Sequence, residues 1–125
     1  MEKYCGSKIW FIPDGYYPES SSGKFPSHEA ICVLNPGKEP AEIEITLYFE
    51  DRPKMEGFTA RCQAERTNHI RMDRLRDREG RGVPIGVPYA IMVRSDNPII
   101  AQYSRMDTRQ AEMALMTTIA FPINE

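Results

Sequence analysis

A chain of 125 residues that is 41% hydrophobic and 27% charged has the composition of one globular domain and not of a disordered segment. Its 16 basic and 18 acidic residues leave a net charge of −2, which gives no field of one sign for binding nucleic acid through bulk charge. The N-terminus lacks the apolar stretch of a signal peptide, and no long apolar run follows, so we expect a cytoplasmic protein. Three cysteines without a C-x-x-C spacing fit free thiols in a reducing compartment.

Short apolar runs separated by prolines and glycines predict an all-β sandwich or barrel, in a single domain over residues 1–125. Residues 41–50 alternate apolar and polar side chains, which places one set on the core face of a strand. The turn signal in residues 35–38 predicts that residues 28–34 form the hairpin partner of this strand, covered on both faces. Further strands are predicted at residues 8–12, 58–63, 67–72, 89–94 and 99–105, and a last one ends near residue 121. A tight turn at residues 96–98 is expected to join the strands at 89–94 and 99–105.

Two segments interrupt the strand pattern. Residues 13–26 combine Asp14, Gly15, two tyrosines and a serine-rich stretch, which predicts a long loop of the kind that often carries function. Residues 73–82 alternate acids and arginines, which predicts a solvated excursion with room for one helical turn.

His28 and Glu29 stand at a junction between loop and strand. An imidazole beside a carboxylate can carry acid–base chemistry or hold a polar ligand, whereas the plain interpretation is a polar pair that satisfies local backbone groups. Ligand binding and the plain interpretation are about equally supported, and catalysis ranks behind both. Two histidines and scattered cysteines offer too few converging ligands for a metal, so neither a metal nor another cofactor is predicted.

Residues 102–110 read QYSRMDTRQ and are the richest polar segment of the chain. Arg105, Asp107 and Arg109 share one parity and lie on one face of an extended chain. Two guanidinium groups flanking a carboxylate can bind a carboxylate, a phosphate or sugar hydroxyls, although a salt-bridged strand end or a subunit contact fits the composition slightly better. Trp10 and Tyr16 offer rings for a sugar or a protein partner, and the plain interpretation of Trp10 is a core residue.

Several segments together resemble the soluble sensory rhodopsin transducer family of the Anabaena type. In chain order they are WFIPDGY at residues 10–16, SHEAICVLN at 27–35, ITLYF at 45–49, RTNHIR at 66–71, SRMDTRQA at 104–111, and pieces of 114–120. The combination of Ser-Arg-x-Asp-Thr-Arg-Gln with Ser-His-Glu is the most specific part, and the resemblance spans nearly the whole chain.

The resemblance implies a compact antiparallel β-sandwich that assembles as a homotetramer in the cytoplasm. It also implies a non-catalytic role, either binding a small, sugar-like polar metabolite or relaying a signal from a membrane photoreceptor or another signalling protein. Carried over by position, the polar motif residues of the family are Trp10, Tyr16, His28, Glu29, Arg105, Asp107, Arg109 and Gln110.

Two other functions remain open from the residues. One is a carbohydrate-active enzyme that uses His28 with Glu29 or Asp107. The other is a DNA-associated regulator that uses Arg61, Arg66, Arg71 and the arginines of residues 74–81.

Strand ends gather at the edges of a sandwich, so the polar motif residues are predicted to converge at one end, with Trp10 or Tyr16 beside them. Subunit contacts are expected on exposed positions of residues 89–105 and 113–121.

Overall fold

The computed structural model describes residues 5–18, 21, 27–108 and 114–124. These residues form eight strands: β1 Ser7–Tyr16, β2 His28–Asn35, β3 Ala41–Phe49, β4 Met55–Cys62, β5 Arg66–Arg71, β6 Pro88–Asp107, β7 Ala114–Ile119 and β8 Phe121–Ile123. A short 3-10 turn, Met72–Arg74, follows β5. Every strand pairing is antiparallel, which confirms the predicted all-β fold. None of the described residues belongs to a helix long and apolar enough to cross a membrane.

The strands form two layers that share β6. The first sheet has the order β4-β3-β6-β1-β8, and the second has the order β5-β2-β6-β7. Residues 89–95 of β6 pair with β3, whereas residues 100–106 pair with β2. One long strand that passes from one sheet to the other therefore ties the two layers together.

The predicted tight turn at residues 96–98 is wrong, because β6 runs through this point without reversing. The polar side chains there hold the start of β3 instead. Asp96 Oδ1 accepts the backbone N–H of Glu42 at 2.8 Å, and Asn97 Nδ2 donates to the carbonyl of Pro40 at 2.8 Å. Residues that are typical of turns can thus also serve a strand that bends between sheets.

The predicted hairpin between β2 and β3 is also wrong. β2 pairs with β5 and β6, while β3 pairs with β4 and β6, so the turn after β2 crosses between the two sheets. Buried Asn35 organises this crossing: Nδ2 donates to the carbonyls of Glu39 and Cys62 at 2.8 and 3.1 Å, and Oδ1 accepts the N–H of Gly37 at 3.0 Å. The turn itself lies where the sequence predicts it.

The core fills the space between the two sheets. Alternation along β3 works as predicted, with Ala41, Ile43, Ile45 and Leu47 all buried. Trp10 is buried among them and donates from Nε1 to the carbonyl of Ser7 at 2.9 Å and of Ile99 at 3.1 Å. Its indole nitrogen is therefore satisfied inside the protein, as a core tryptophan requires.

Candidate functional site

A fully enclosed carboxyl group lies near one end of the sandwich. Glu29 is the second residue of β2, and strand alternation turns it inward, so its side chain is 0% exposed. The backbone N–H of Tyr16 donates to Oε2 at 2.5 Å, and the hydroxyls of Tyr89 and Tyr103 donate to Oε1 and Oε2. Three donors on β1 and β6 therefore replace the water that burial removes.

Local sequence explains how the two tyrosines reach this carboxyl. Both come from β6, with Tyr89 near its start and Tyr103 near its end, where β6 pairs with β1 and β2 respectively. Gly15 lies opposite Tyr89, and a Cβ at this position would lie 2.6 Å from Cε1 of the ring. A glycine in β1 is therefore required for the ring to pass beneath the strand.

Arg105 lies next to the enclosed carboxyl of Glu29. It lies opposite Glu29 in the β2–β6 register, and its Nε donates to Tyr103 Oη at 3.0 Å while lying 4.0 Å from Glu29 Oε2. Nη2 lies 3.9 Å from Oδ1 of Asp14, which is 85% exposed. Nη2 is itself buried and has no hydrogen-bond acceptor among the described residues. The guanidinium group thus contacts Glu29 through Tyr103 and keeps donor capacity unused.

Burial and charge shift the pKa values of Glu29 and its two tyrosine partners. Loss of water raises the pKa of Glu29 above its ordinary value, although the Tyr103, Tyr89 and Tyr16 donors and the charge of Arg105 oppose the shift. The same burial, together with the charge of Glu29, raises the pKa values of Tyr89 and Tyr103 far above that of a free tyrosine. Both tyrosines therefore remain protonated donors at any physiological pH.

The structure brings together only part of the predicted site. Glu29 and Arg105 meet, and Tyr16 joins them through its backbone N–H. Asp107 follows Arg105 with the same parity at the end of β6 and is half-buried. Arg109 and Gln110 lie outside the described residues. Trp10 lies in the core, which matches its plain interpretation.

His28 belongs to a different surface from Glu29. Consecutive residues of a strand point to opposite faces, so the imidazole lies on the outer side of the second sheet. Burial would raise the pKa of Asp73 there, but the hydrogen bond from Arg71 and the charges of Arg71 and His28 hold it below its ordinary value. An acid–base pair of His28 with Glu29 is therefore not formed.

Sequence reasoning missed Asp14, Tyr89 and Tyr103. A usable signal existed, because a glutamate with inward parity on a buried strand needs donors, and tyrosine hydroxyls on a neighbouring strand can supply them. Identifying that neighbouring strand required knowing that β6 continues through residues 96–98, where the sequence predicted a turn.

An open surface cleft of about 380 Å³ adjoins this network at the same end of the sandwich. It shares Asp14 and Tyr89 with the network, and its other lining residues are Pro13, Tyr48, Phe49, Glu50, Pro88 and Ala90. Aromatic walls with a few polar groups are typical of sites for small molecules. The described residues contain no group of three or more potential metal ligands.

Taken together, the fold and this network define a β-sandwich module with a tyrosine-lined carboxylate–arginine pair at one end. A family model described as "Anabaena sensory rhodopsin transducer" matches residues 5–122, and the chain belongs to that family.

Solved structures that are similar to this chain include the following two. One is titled "Crystal Structure of Thermotoga maritima 1070", with 37% identity, a TM-score of 0.84, and coverage of 94% of this chain and 96% of that chain. The other is the Anabaena sensory rhodopsin transducer, with 33% identity, a TM-score of 0.70, and coverage of 78% of this chain and 96% of that chain. A search of curated proteins found no match.

Proposed function

We propose that this chain is a non-catalytic, cytoplasmic transducer module that binds a small polar molecule, such as a sugar-like metabolite, at the Glu29–Arg105 end. The observation that carries the proposal is Arg105, whose buried Nη2 has no hydrogen-bond acceptor among the described residues and lies 3.9 Å from Asp14, a lining residue of the aromatic cleft. A guanidinium group with free N–H bonds is suited to carboxylate or hydroxyl oxygens.

The surroundings of Glu29 support binding over catalysis. A general base must reach the proton that it abstracts, whereas both carboxylate oxygens of Glu29 already accept hydrogen bonds from the protein. The role that fits Glu29 is therefore to hold Tyr89, Tyr103 and Arg105 in place, while Arg105 and Asp14 face the ligand.

Several of the arginines considered for DNA binding are paired with acids. Arg61 pairs with Glu42 at 2.9 Å, Arg71 with Asp73 at 2.8 Å, and Arg81 with Asp77 at 2.8 Å. Paired cations offer less charge to a phosphate backbone, so we do not extend the proposal to nucleic acid.

The module is proposed to work as a homotetramer, in line with the family resemblance. β7 carries no charged residue and no proline, and all six of its residues are exposed. Leu115 is 75% exposed, Ile119 63% and Phe121 67%. An uncharged edge strand of this kind is prone to pair with other chains unless a specific partner covers it. A second copy is the partner we propose, and a membrane photoreceptor or other signalling protein would contact the assembly.

The test of the binding role is a library of sugars, sugar acids and other polar metabolites, screened by thermal shift on the wild-type protein. A ligand present at about 100 times its Kd stabilises the folded state by about 2.7 kcal/mol, which is easily measured as a higher Tm. A hit supports the proposal, and a broad library without any stabilising compound counts against it.

A further inference from the structure

Arg105 and Glu29 share one hydrogen-bonding partner. Both groups hydrogen-bond to the same hydroxyl, since Tyr103 Oη donates to Glu29 and accepts from Arg105 Nε. Within the described residues, the titratable and charged side chains that act on Glu29 are Tyr89, Tyr103 and Arg105, all on β6. Asp14 on β1 also acts on Arg105 through its charge, with Oδ1 3.9 Å from Nη2.

We propose, building on the ligand site proposed above, that Glu29 is the internal counter-ion of Arg105, and that its protonation releases Arg105 to bind an anion. The ligand site is then regulated by proton uptake at a residue that the ligand does not touch.

In the ionised state the network is balanced. The carboxylate of Glu29 accepts three hydrogen bonds, and its charge offsets that of Arg105 across 4.0 Å of low-dielectric interior. An external anion at Arg105 would then compete with a buried carboxylate that is already in place.

A proton taken from solvent changes both the charge and the hydrogen bonding. A protonated carboxyl has an O–H to donate, yet its three neighbours are themselves donors. If Tyr103 Oη accepts a hydrogen bond from the new O–H of Glu29, the tyrosine hydroxyl must turn its own O–H away, and Oη then receives hydrogen bonds from both Glu29 and Arg105. The Arg105 bond weakens, and the guanidinium loses its buried counter-charge.

Asp14 cannot take over the role of Glu29. Its side chain is 85% exposed and its Oδ1 lies 3.9 Å from Nη2, so water screens most of the attraction. Arg105 therefore becomes a cation with unused donors at the end of the sandwich. Its planar group suits a carboxylate, sulfate or phosphate, which can accept two parallel N–H bonds.

Binding linkage gives the expected size of the effect. If the anion binds the form with protonated Glu29, its affinity rises by up to about tenfold for each pH unit below the pKa that Glu29 has in the anion-bound protein. The increase ends at the pKa of Glu29 in the free protein, where Glu29 is already protonated.

The experiment has one arm without any ligand. In the full chain, NMR follows the Glu29 carboxyl carbon and the Arg105 Nε nitrogen between pH 4 and pH 8. We expect both signals to change with one shared midpoint, above the ordinary pKa of glutamate. An Arg105 Nε signal that does not change at the pH midpoint of Glu29 would overturn the inference.

The second arm uses inorganic sulfate, which keeps its charge over this range. We expect wild-type affinity for sulfate to rise as the pH falls, whereas Glu29→Gln binds it tightly and independently of pH. Arg105→Gln should bind none. Tyr103→Phe removes the shared hydroxyl and should weaken the pH dependence, because only the charge of Glu29 then acts on Arg105; this variant tests the switch if Glu29→Gln does not fold. Glu29→Gln that binds sulfate no better than wild type at pH 8 would contradict the switch.

The two proposals fail in different ways. A metabolite screen without hits, together with strong sulfate binding by Glu29→Gln, would refute the proposed ligand role and support the switch. Hits that depend on Arg105, together with a pH-independent Arg105 signal, would support the ligand role and refute the switch.

Discussion

Replacing Glu29 by glutamine should remove a defined part of the pH dependence of stability. The pKa of Glu29 is raised by burial, so the folded protein holds this proton more tightly than the unfolded chain. The corresponding stability is fully present below the unfolded pKa, and it is lost as the pH rises through the window between the unfolded and folded pKa values.

The slope of this loss follows from linkage alone. Inside the window, the free energy of unfolding contributed by Glu29 falls by about 1.4 kcal/mol for each pH unit. Asp73 has a lowered pKa and contributes with the opposite sign, since its stabilisation is lost as the pH falls. Because that residue is unchanged in the variant, the difference between wild type and Glu29→Gln isolates the contribution of Glu29.

Urea denaturation at intervals of half a pH unit from pH 4 to pH 8 measures this difference. Relative to Glu29→Gln, the wild type should be most stable at the acid end and lose stability as the pH rises. Glu39→Gln, at an exposed position in the turn after β2, is the matched control and should follow the wild-type curve. A constant difference between wild type and Glu29→Gln across the range, or one of opposite sign, would refute the reasoning.

Three further predictions concern the positions around this network. Gly15→Ala should lower the free energy of unfolding by about 1–3 kcal/mol in urea denaturation, because the new Cβ would lie 2.6 Å from the Tyr89 ring, and an unchanged midpoint would contradict that packing. The wild type should give the mass of a tetramer in light scattering at micromolar concentration. Ile119→Glu should give a smaller mass, because it places a charge on the strand that we propose a second copy covers. A monomer mass for the wild type would refute the assembly. Arg109→Ala should abolish ligand binding at little cost in stability, whereas loss of a structural ion pair with the half-buried Asp107 would instead lower the free energy of unfolding, and calorimetry combined with unfolding separates the two.

The positions of most strands could be predicted because burial imposes a simple period. Alternation in residues 41–50 is visible in sequence, and the structure places β3 there, with its apolar set in the core. Pairing could not be predicted in the same way, since β2 and β3 are adjacent in sequence yet belong to different sheets. Asn35 forms a turn in either arrangement, so turn chemistry does not decide which strands it joins.

The candidate site shows the same limit. Glu29 and Arg105 could be selected from sequence because Glu29 lies beside His28 at a junction between loop and strand, Arg105 belongs to the polar segment at residues 102–110, and both match motif residues of the family that the chain resembles. Tyr89 and Tyr103 were missed because each looks like an ordinary aromatic residue of a strand, and the need of a buried glutamate for donors does not say which hydroxyls supply them. Tyr89 is 60 positions and Tyr103 is 74 positions from Glu29 in the chain. Only the path of β6 through both sheets brings them into contact with it.

The central claim, that Arg105 at the Glu29 end holds a ligand, is tested most directly by calorimetric titration of a screened ligand into three proteins. Arg94 lies on the same strand as Arg105 but is exposed, so Arg94→Gln controls for the loss of one positive charge. We predict that wild type and Arg94→Gln bind the ligand with equal affinity, and that Arg105→Gln shows no binding heat while remaining folded. Equal affinity of folded Arg105→Gln and wild type would contradict the account.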